Sequence, residues 1–178
     1  MNPSLAALKR VSATLEEAGL EHALGGSGLL VALGLHQQSN DWDLTTEASL
    51  IAVTDALAVA AVPFVRLGGS VPFASRFLLV ATVAGTQLDL IGRFAIHSEG
   101  GVCRIPTISC MRWNGVPVGS PEAWAVAYAL MGREEKANLL FRYLAKVGAD
   151  PLTVDLLLQE PLPPGLVEQV RRWHIRKV

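Results

Sequence analysis

Between His22 and Thr46 the chain sets a run of glycines ahead of a strict alternation, and that pairing limits the architecture more than any other feature. His22-Ala-Leu reads as a short strand running into Gly25-Gly26-Ser27-Gly28, and the LLVALGL that follows has the length and residue types of a short helix. After a polar loop, His36-Gln-Gln-Ser-Asn, the residues Trp42, Leu44 and Thr46 alternate with Asp41, Asp43 and Thr45, the two-residue period of a strand. Both aspartates therefore fall on one face, and Trp42 faces a core on the other.

The rest of the chain supplies what such a strand needs around it. Leu5, Leu8, Val11, Leu15 and Ala18 recur at helical spacing, which predicts an amphipathic helix over 3–19, closed by Gly19. Leu50, Val53 and Leu57 predict a second helix over 49–60, with Ser49 as its cap and Pro63 beyond its end. Short β-branched or aromatic runs, 64–67, 76–83, 87–91 and 94–98, lie between glycines and read as a meander of hairpins, and Asn114-Gly115 is a two-residue hairpin turn. Ser120-Pro121-Glu122 then opens a helical tail with breaks at Gly132, 148–151 and 161–165. Strands grouped in the middle with helices at the ends predict an α+β fold: a mixed β-sheet flanked by helices, with a C-terminal helical tail. The organisation expected is a first unit over 1–118 and a helical region, 119–178, packed on it.

Composition narrows the function. A chain of 178 residues, 51% hydrophobic and 17% charged, is too apolar to be disordered and forms one core. Fifteen basic against sixteen acidic residues leave a net charge of -1, which argues against a surface that binds long nucleic acid. Lys9, Arg10, Glu16 and Glu17 interrupt the region where a signal peptide would be apolar, and no apolar run approaches the ~20 residues of a membrane span. Cys103 and Cys110 have no metal-site spacing and read as buried reduced thiols. A cytoplasmic protein without a membrane partner is the expectation.

Two carboxylates at i and i+2 on one strand face repel unless a cation lies between them, and a hard divalent ion, Mg²⁺, is what such an oxygen pair binds. Asp89 stands in Gln87-Leu88-Asp89-Leu90-Ile91, a second apolar strand; if that strand lies beside 42–46, three carboxylates converge. Such a set suits metal-assisted displacement at phosphorus. The glycine turn complements it, because its backbone N–H groups can approach a phosphate closely, with the Ser27 hydroxyl as a further donor.

In order and spacing, Leu24-Gly25-Gly26-Ser27, then Asp41-Trp42-Asp43-Leu44, then Leu88-Asp89-Leu90, the chain resembles the nucleotidyltransferase superfamily. The likeness spans about residues 5–147, and small bacterial antibiotic nucleotidyltransferases are similar in size. The resemblance implies transfer of a nucleoside monophosphate from a nucleoside triphosphate such as ATP to a hydroxyl of a small molecule or protein. It implies nucleotide binding by Gly25, Gly26 and Ser27, Mg²⁺ held by Asp41 and Asp43, and Asp89 as third ligand or base. It also suggests Lys136, in Arg133-Glu-Glu-Lys136, as a phosphate contact.

One departure is plain. Many relatives carry Arg or Lys in the loop before the aspartate pair, whereas 36–40 has no fixed positive charge, so neutralisation must come from elsewhere, with Arg66, Arg76, Arg93, Arg133 and Lys136 as the candidates. The alternative is a catalytically inactive protein of this fold, a nucleotide sensor or a toxin–antitoxin partner. A tRNA or poly(A) polymerase-like activity is disfavoured by the near-neutral charge. His22, His36, His97 and His174 show no ligand spacing and read as surface or strand-end residues, His36 alone being of interest for its loop. Arg171, Arg172, Arg176 and Lys177 read as cations suited to a helix C-terminus.

Overall fold

The computed structural model describes residues 3–174. The helix predicted first is α1 (Leu5–Glu17), capped by Ser4, whose hydroxyl accepts from the Ala7 N–H. After it come β1 (His22–Leu24), α2 (Gly26–Ala32), β2 (Trp42–Thr46) and α3 (Leu50–Val59), the last capped by Ser49. Strands β3 (Phe64–Leu67), β4 (Phe77–Val83) and β5 (Thr86–Gly92) form the expected meander. The next two, β6 (Ala95–Ser98) and β7 (Gly101–Arg104), leave it and form a separate two-stranded sheet. The predicted meander is corrected there: Arg93 takes φ +48, and the chain turns out of the sheet after β5.

Strands β8 (Ser109–Trp113) and β9 (Val116–Gly119) form the hairpin signalled by Asn114-Gly115, both at positive φ as the tight turn demands. Four helices close the described chain: α4 (Pro121–Leu130), α5 (Glu134–Val147), α6 (Pro151–Leu157) and α7 (Pro164–His174). Seven strands make one mixed sheet in the order β3-β4-β5-β2-β1-β9-β8, with β2–β5 and β1–β9 parallel. The fold is thus α+β, a mixed sheet flanked by helices. No described helix is long and apolar enough to cross a membrane.

Two apolar clusters hold the sheet. On one face α1 and α3 cover Trp42, Leu44, Leu79, Leu88 and Leu90; each fully buried leucine contributes about 1.5–3 kcal/mol. The second cluster joins α2 and α4–α7 to Val118, Phe94 and Ile96, so the helices after Gly119 share a core with the strands. The Glu122 carboxylate ties two of them together: it accepts from Ser120 Oγ at 2.6 Å and from the Asp150 N–H at 2.8 Å.

Three local expectations are corrected. Helix α2 begins at Gly26, inside the predicted turn, because Gly25 already serves as its cap. Cys110 is exposed, and Cys103 alone is buried. His22 is buried: its Nε2 lies 2.7 Å from Ser12 Oγ and its Nδ1 3.0 Å from the Leu20 carbonyl, and burial holds its pKa below the ordinary value. Arg176 and Lys177 lie outside the described residues, as does the His174 side chain.

Candidate active site

The parallel pairing of β2 with β5 sets the site. Its register makes Asp43 the Cα partner of Asp89, with Trp42 opposite Leu88 and Leu44 opposite Leu90. Since those four apolar residues enter the core, alternation turns both aspartates to the other face, one strand spacing apart, about 4.8 Å. Asp41 precedes the strand, in a bend, and is exposed. All three line one cleft of about 830 Å³, together with Gly26 and Ser27.

The glycines are dictated by close approach. The Gly25 N–H donates to the Asp43 carbonyl at 2.8 Å, and a Cβ at Gly25 would lie 1.9 Å from the Trp124 ring. Gly26 has φ +52, and a Cβ there would lie 1.8 Å from Asp43 Oδ2. Only glycine brings the backbone against that carboxylate without displacing it. Ser27 is tied into the acids: its hydroxyl lies 2.6 Å from Ser39 Oγ and 3.2 Å from Asp41 Oδ1, while Ser39 donates to the Asp41 carbonyl. The hydroxyl read as a phosphate donor therefore steadies Asp41 in this state.

Burial, then Asp41 and Asp89, push the Asp43 carboxyl up to about 7; Arg133 and Lys136 act the other way. Burial and Asp41 raise Asp89 as well. This is the electrostatics of carboxylates sharing a pocket of limited solvation. Among the described residues no three His, Cys, Asp or Glu side chains are gathered closely enough to cage an ion as they stand. The donor chemistry nevertheless fits a hard cation: every acid is an oxygen donor, and Asp43 is held beside like charge in a cleft open to ligands.

Of the cations considered in place of a basic loop, Arg66, Arg76, Arg133 and Lys136 line the cleft. Arg93 does not; its Nε reaches the Glu47 carbonyl at 3.4 Å. His36 is exposed beside Gln38, away from the cleft lining. Arg133 and Lys136 act on Asp43, and the Lys136 ammonium sits 5.5 Å over the Tyr128 ring. Arg66 and Arg76 stand at the other end, near β3 and β4.

Two aromatics of α4 at or beside the cleft were not among the expected site residues. Trp124 lines the cleft and packs on Phe94 and Tyr128, at ring centroid distances of 5.3 and 5.6 Å. Tyr128 is fully buried, its hydroxyl lacks a hydrogen-bond partner, and burial followed by Asp43 raises its pKa. The available signal was two aromatics four apart on one stripe of an alanine-rich helix, which by itself reads as core.

No family model matches the sequence, and no curated protein matches it. Solved structures do resemble it. A candidate nucleotidyltransferase from Thermotoga maritima is 20% identical, with a TM-score of 0.57 over 80% of this chain and 92% of that one. ANT(2″)-Ia in complex with adenylyl-2″-tobramycin is 18% identical, with a TM-score of 0.56 over 96% of this chain and 97% of that one. At these identities the likeness establishes a nucleotidyltransferase-like fold.

Proposed function

We propose that this nucleotidyltransferase-like fold transfers a nucleoside monophosphate from a nucleoside triphosphate to a hydroxyl of a small molecule or protein, releasing pyrophosphate. The observation that carries the reading is the Asp43–Asp89 pairing across β2 and β5, on the face opposite the core, with Asp41 and the Gly26 backbone beside it. Of the two neighbours named above, the Thermotoga maritima protein is described as a nucleotidyltransferase and ANT(2″)-Ia holds an adenylylated product.

Arg133 and Lys136, on the Asp43 side, receive the triphosphate charge that the loop 36–40 leaves unmatched, and the Gly25–Ser27 turn bounds the phosphates with backbone. Mg²⁺ held by Asp41 and Asp43 would supply neutralisation of the phosphate oxygens and of the leaving pyrophosphate. Asp89, the acid farther along the sheet, takes the proton of the acceptor hydroxyl; its raised proton affinity suits it to a base. The acceptor oxygen forms a bond to the α-phosphorus as the bond from that phosphorus to the bridging oxygen of pyrophosphate breaks. The remaining catalysis is positioning and charge stabilisation.

Turnover of α-labelled triphosphates with an acceptor panel, wild type against Asp43→Asn, tests the reading. Loss of at least about 10²-fold is expected, the scale of removing one charge-stabilising group. Equal rates would remove Asp43 from the chemistry. A second reading, an inactive protein that senses nucleotide or binds a partner, is favoured by the uncharged loop 36–40 and by the engagement of Ser27 with Asp41. Calorimetry with Mg²⁺ and each triphosphate tells the readings apart: tight Mg²⁺-dependent binding favours transfer, and no binding favours the interaction role.

A further inference from the structure

Beyond Asp89 the floor of the cleft changes character. Register carries one cross-strand row from Asp43 and Asp89 to Val80 and Val65, and the next from Thr45 and Ile91 to Leu78 and Leu67. Past Asp89 that face is therefore aliphatic. Val65 and Leu67 are 58% and 46% exposed, an unusual investment of apolar surface beside a polar site. Phe73 and Phe94 add aromatic wall to the same cleft.

The charges are arranged just as unevenly. The carboxylates lining the cleft are Asp41, Asp43 and Asp89, all committed to the phosphate end. At the far end stands Arg76, exposed, its N–H donating to the Gly92 carbonyl at 2.9 Å, which sets it level with Arg93. Arg76 also lines an adjoining hollow with Arg93 and Arg104. Arg104 is paired with Glu160 at 3.3 Å, and the Glu47 side chain there accepts from the Thr107 N–H. Among the described residues no carboxylate pairs with Arg76.

We infer that the acceptor of this cleft is a small hydroxyl compound with an apolar body and one anionic group: its hydroxyl at Asp89, its body on Leu78, Ile91 and Leu67, its anion at Arg76. This rests on the nucleotide-transfer reading for the role of Asp89. Four residues of strand separate the Asp89 level from that of Arg76, about 13 Å, and the arginine side chain reaches back over part of it. A polycation such as tobramycin would meet guanidinium and hydrocarbon where it needs carboxylates, so the product held by ANT(2″)-Ia is the wrong chemistry for this floor.

The test uses two matched probes, 4-hydroxyphenylacetate and tyramine, which share a phenol and differ in the sign of the tail. Each is titrated into the full-length ¹⁵N-labelled protein, with and without Mg²⁺ and α,β-methylene-ATP, and tobramycin is titrated in parallel. The carboxylate probe should shift amides of β4 and β5 and bind about fivefold more tightly than tyramine, the size of one rim ion pair; Arg76→Glu should invert the ratio. Tobramycin should leave those amides unmoved. Shifts with tobramycin, a ratio at or below one, an unchanged ratio in Arg76→Glu, or silence with both probes would each overturn the inference. Failure of the nucleotide analogue to shift amides around Gly26 and Asp43 would instead overturn the transfer reading, while the probe ratios still decide what the floor recognises.

Discussion

Gly26 lies so close to Asp43 that a single added carbon would sit 1.8 Å from Oδ2. Turn and acid are thus one unit: the backbone that would cradle phosphate is the backbone that walls in the carboxylate.

Gly26→Ala should therefore destabilise the fold by about 2–4 kcal/mol, the left-handed φ and the overlap adding together. Gly19→Ala, at φ +68 with open space around it, should cost only about 1–2 kcal/mol. Urea unfolding of both variants checks the difference; equal losses would mean that Asp43 moves aside freely.

Asp43 makes stability depend on pH. Its native pKa, about 7, lies above the 3.8 of the unfolded chain, so its contribution is full below 3.8 and is lost as pH rises to 7. Asp89 acts in the same direction. Without divalent cation, the wild type should lose stability relative to Asp43→Asn between pH 4 and 7 at up to about 1.4 kcal/mol per pH unit. Added Mg²⁺ should raise the melting temperature more at pH 8 than at pH 5, read by thermal unfolding at both.

His22 works in the opposite direction. Its native pKa is depressed below 6.5, so its contribution is present above 6.5 and is lost as pH falls toward the native value. NMR should show the His22 ring titrating below the ordinary imidazole value, because burial disfavours its charged form. A His22 ring that titrates at or above 6.5 would contradict its burial against Ser12.

Glu122→Ala removes the acceptor of both Ser120 Oγ and the Asp150 N–H in a buried setting. The expected cost is about 2–3 kcal/mol in chemical denaturation, the penalty of leaving buried donors unmatched. Proteolysis should then cut first around 148–151, where α6 is anchored. A variant as stable and as resistant as wild type would show that water replaces the carboxylate without loss.

Much of this was legible in the chain. The alternation at 41–46, the caps at Ser49 and Ser120, the Asn114-Gly115 turn and the helical tail are local signals, set by neighbours within a few residues, and the structure shows them close to where they were read. The order of the glycine turn and the two acidic strands was enough to suggest the fold now seen.

What the sequence could not hold is adjacency. Only non-local hydrogen bonding puts β5 beside β2 in the register that faces Asp89 with Asp43, and a slip of one residue would have turned Asp89 into the core. The burial of His22 and Tyr128, the departure of β6 from the sheet, and the aliphatic floor ending at Arg76 were likewise decided by packing. Periodicity tells which face of an element is apolar; what that face meets depends on which distant segments are paired with it, and that free energy belongs to the assembled sheet and not to any stretch of chain.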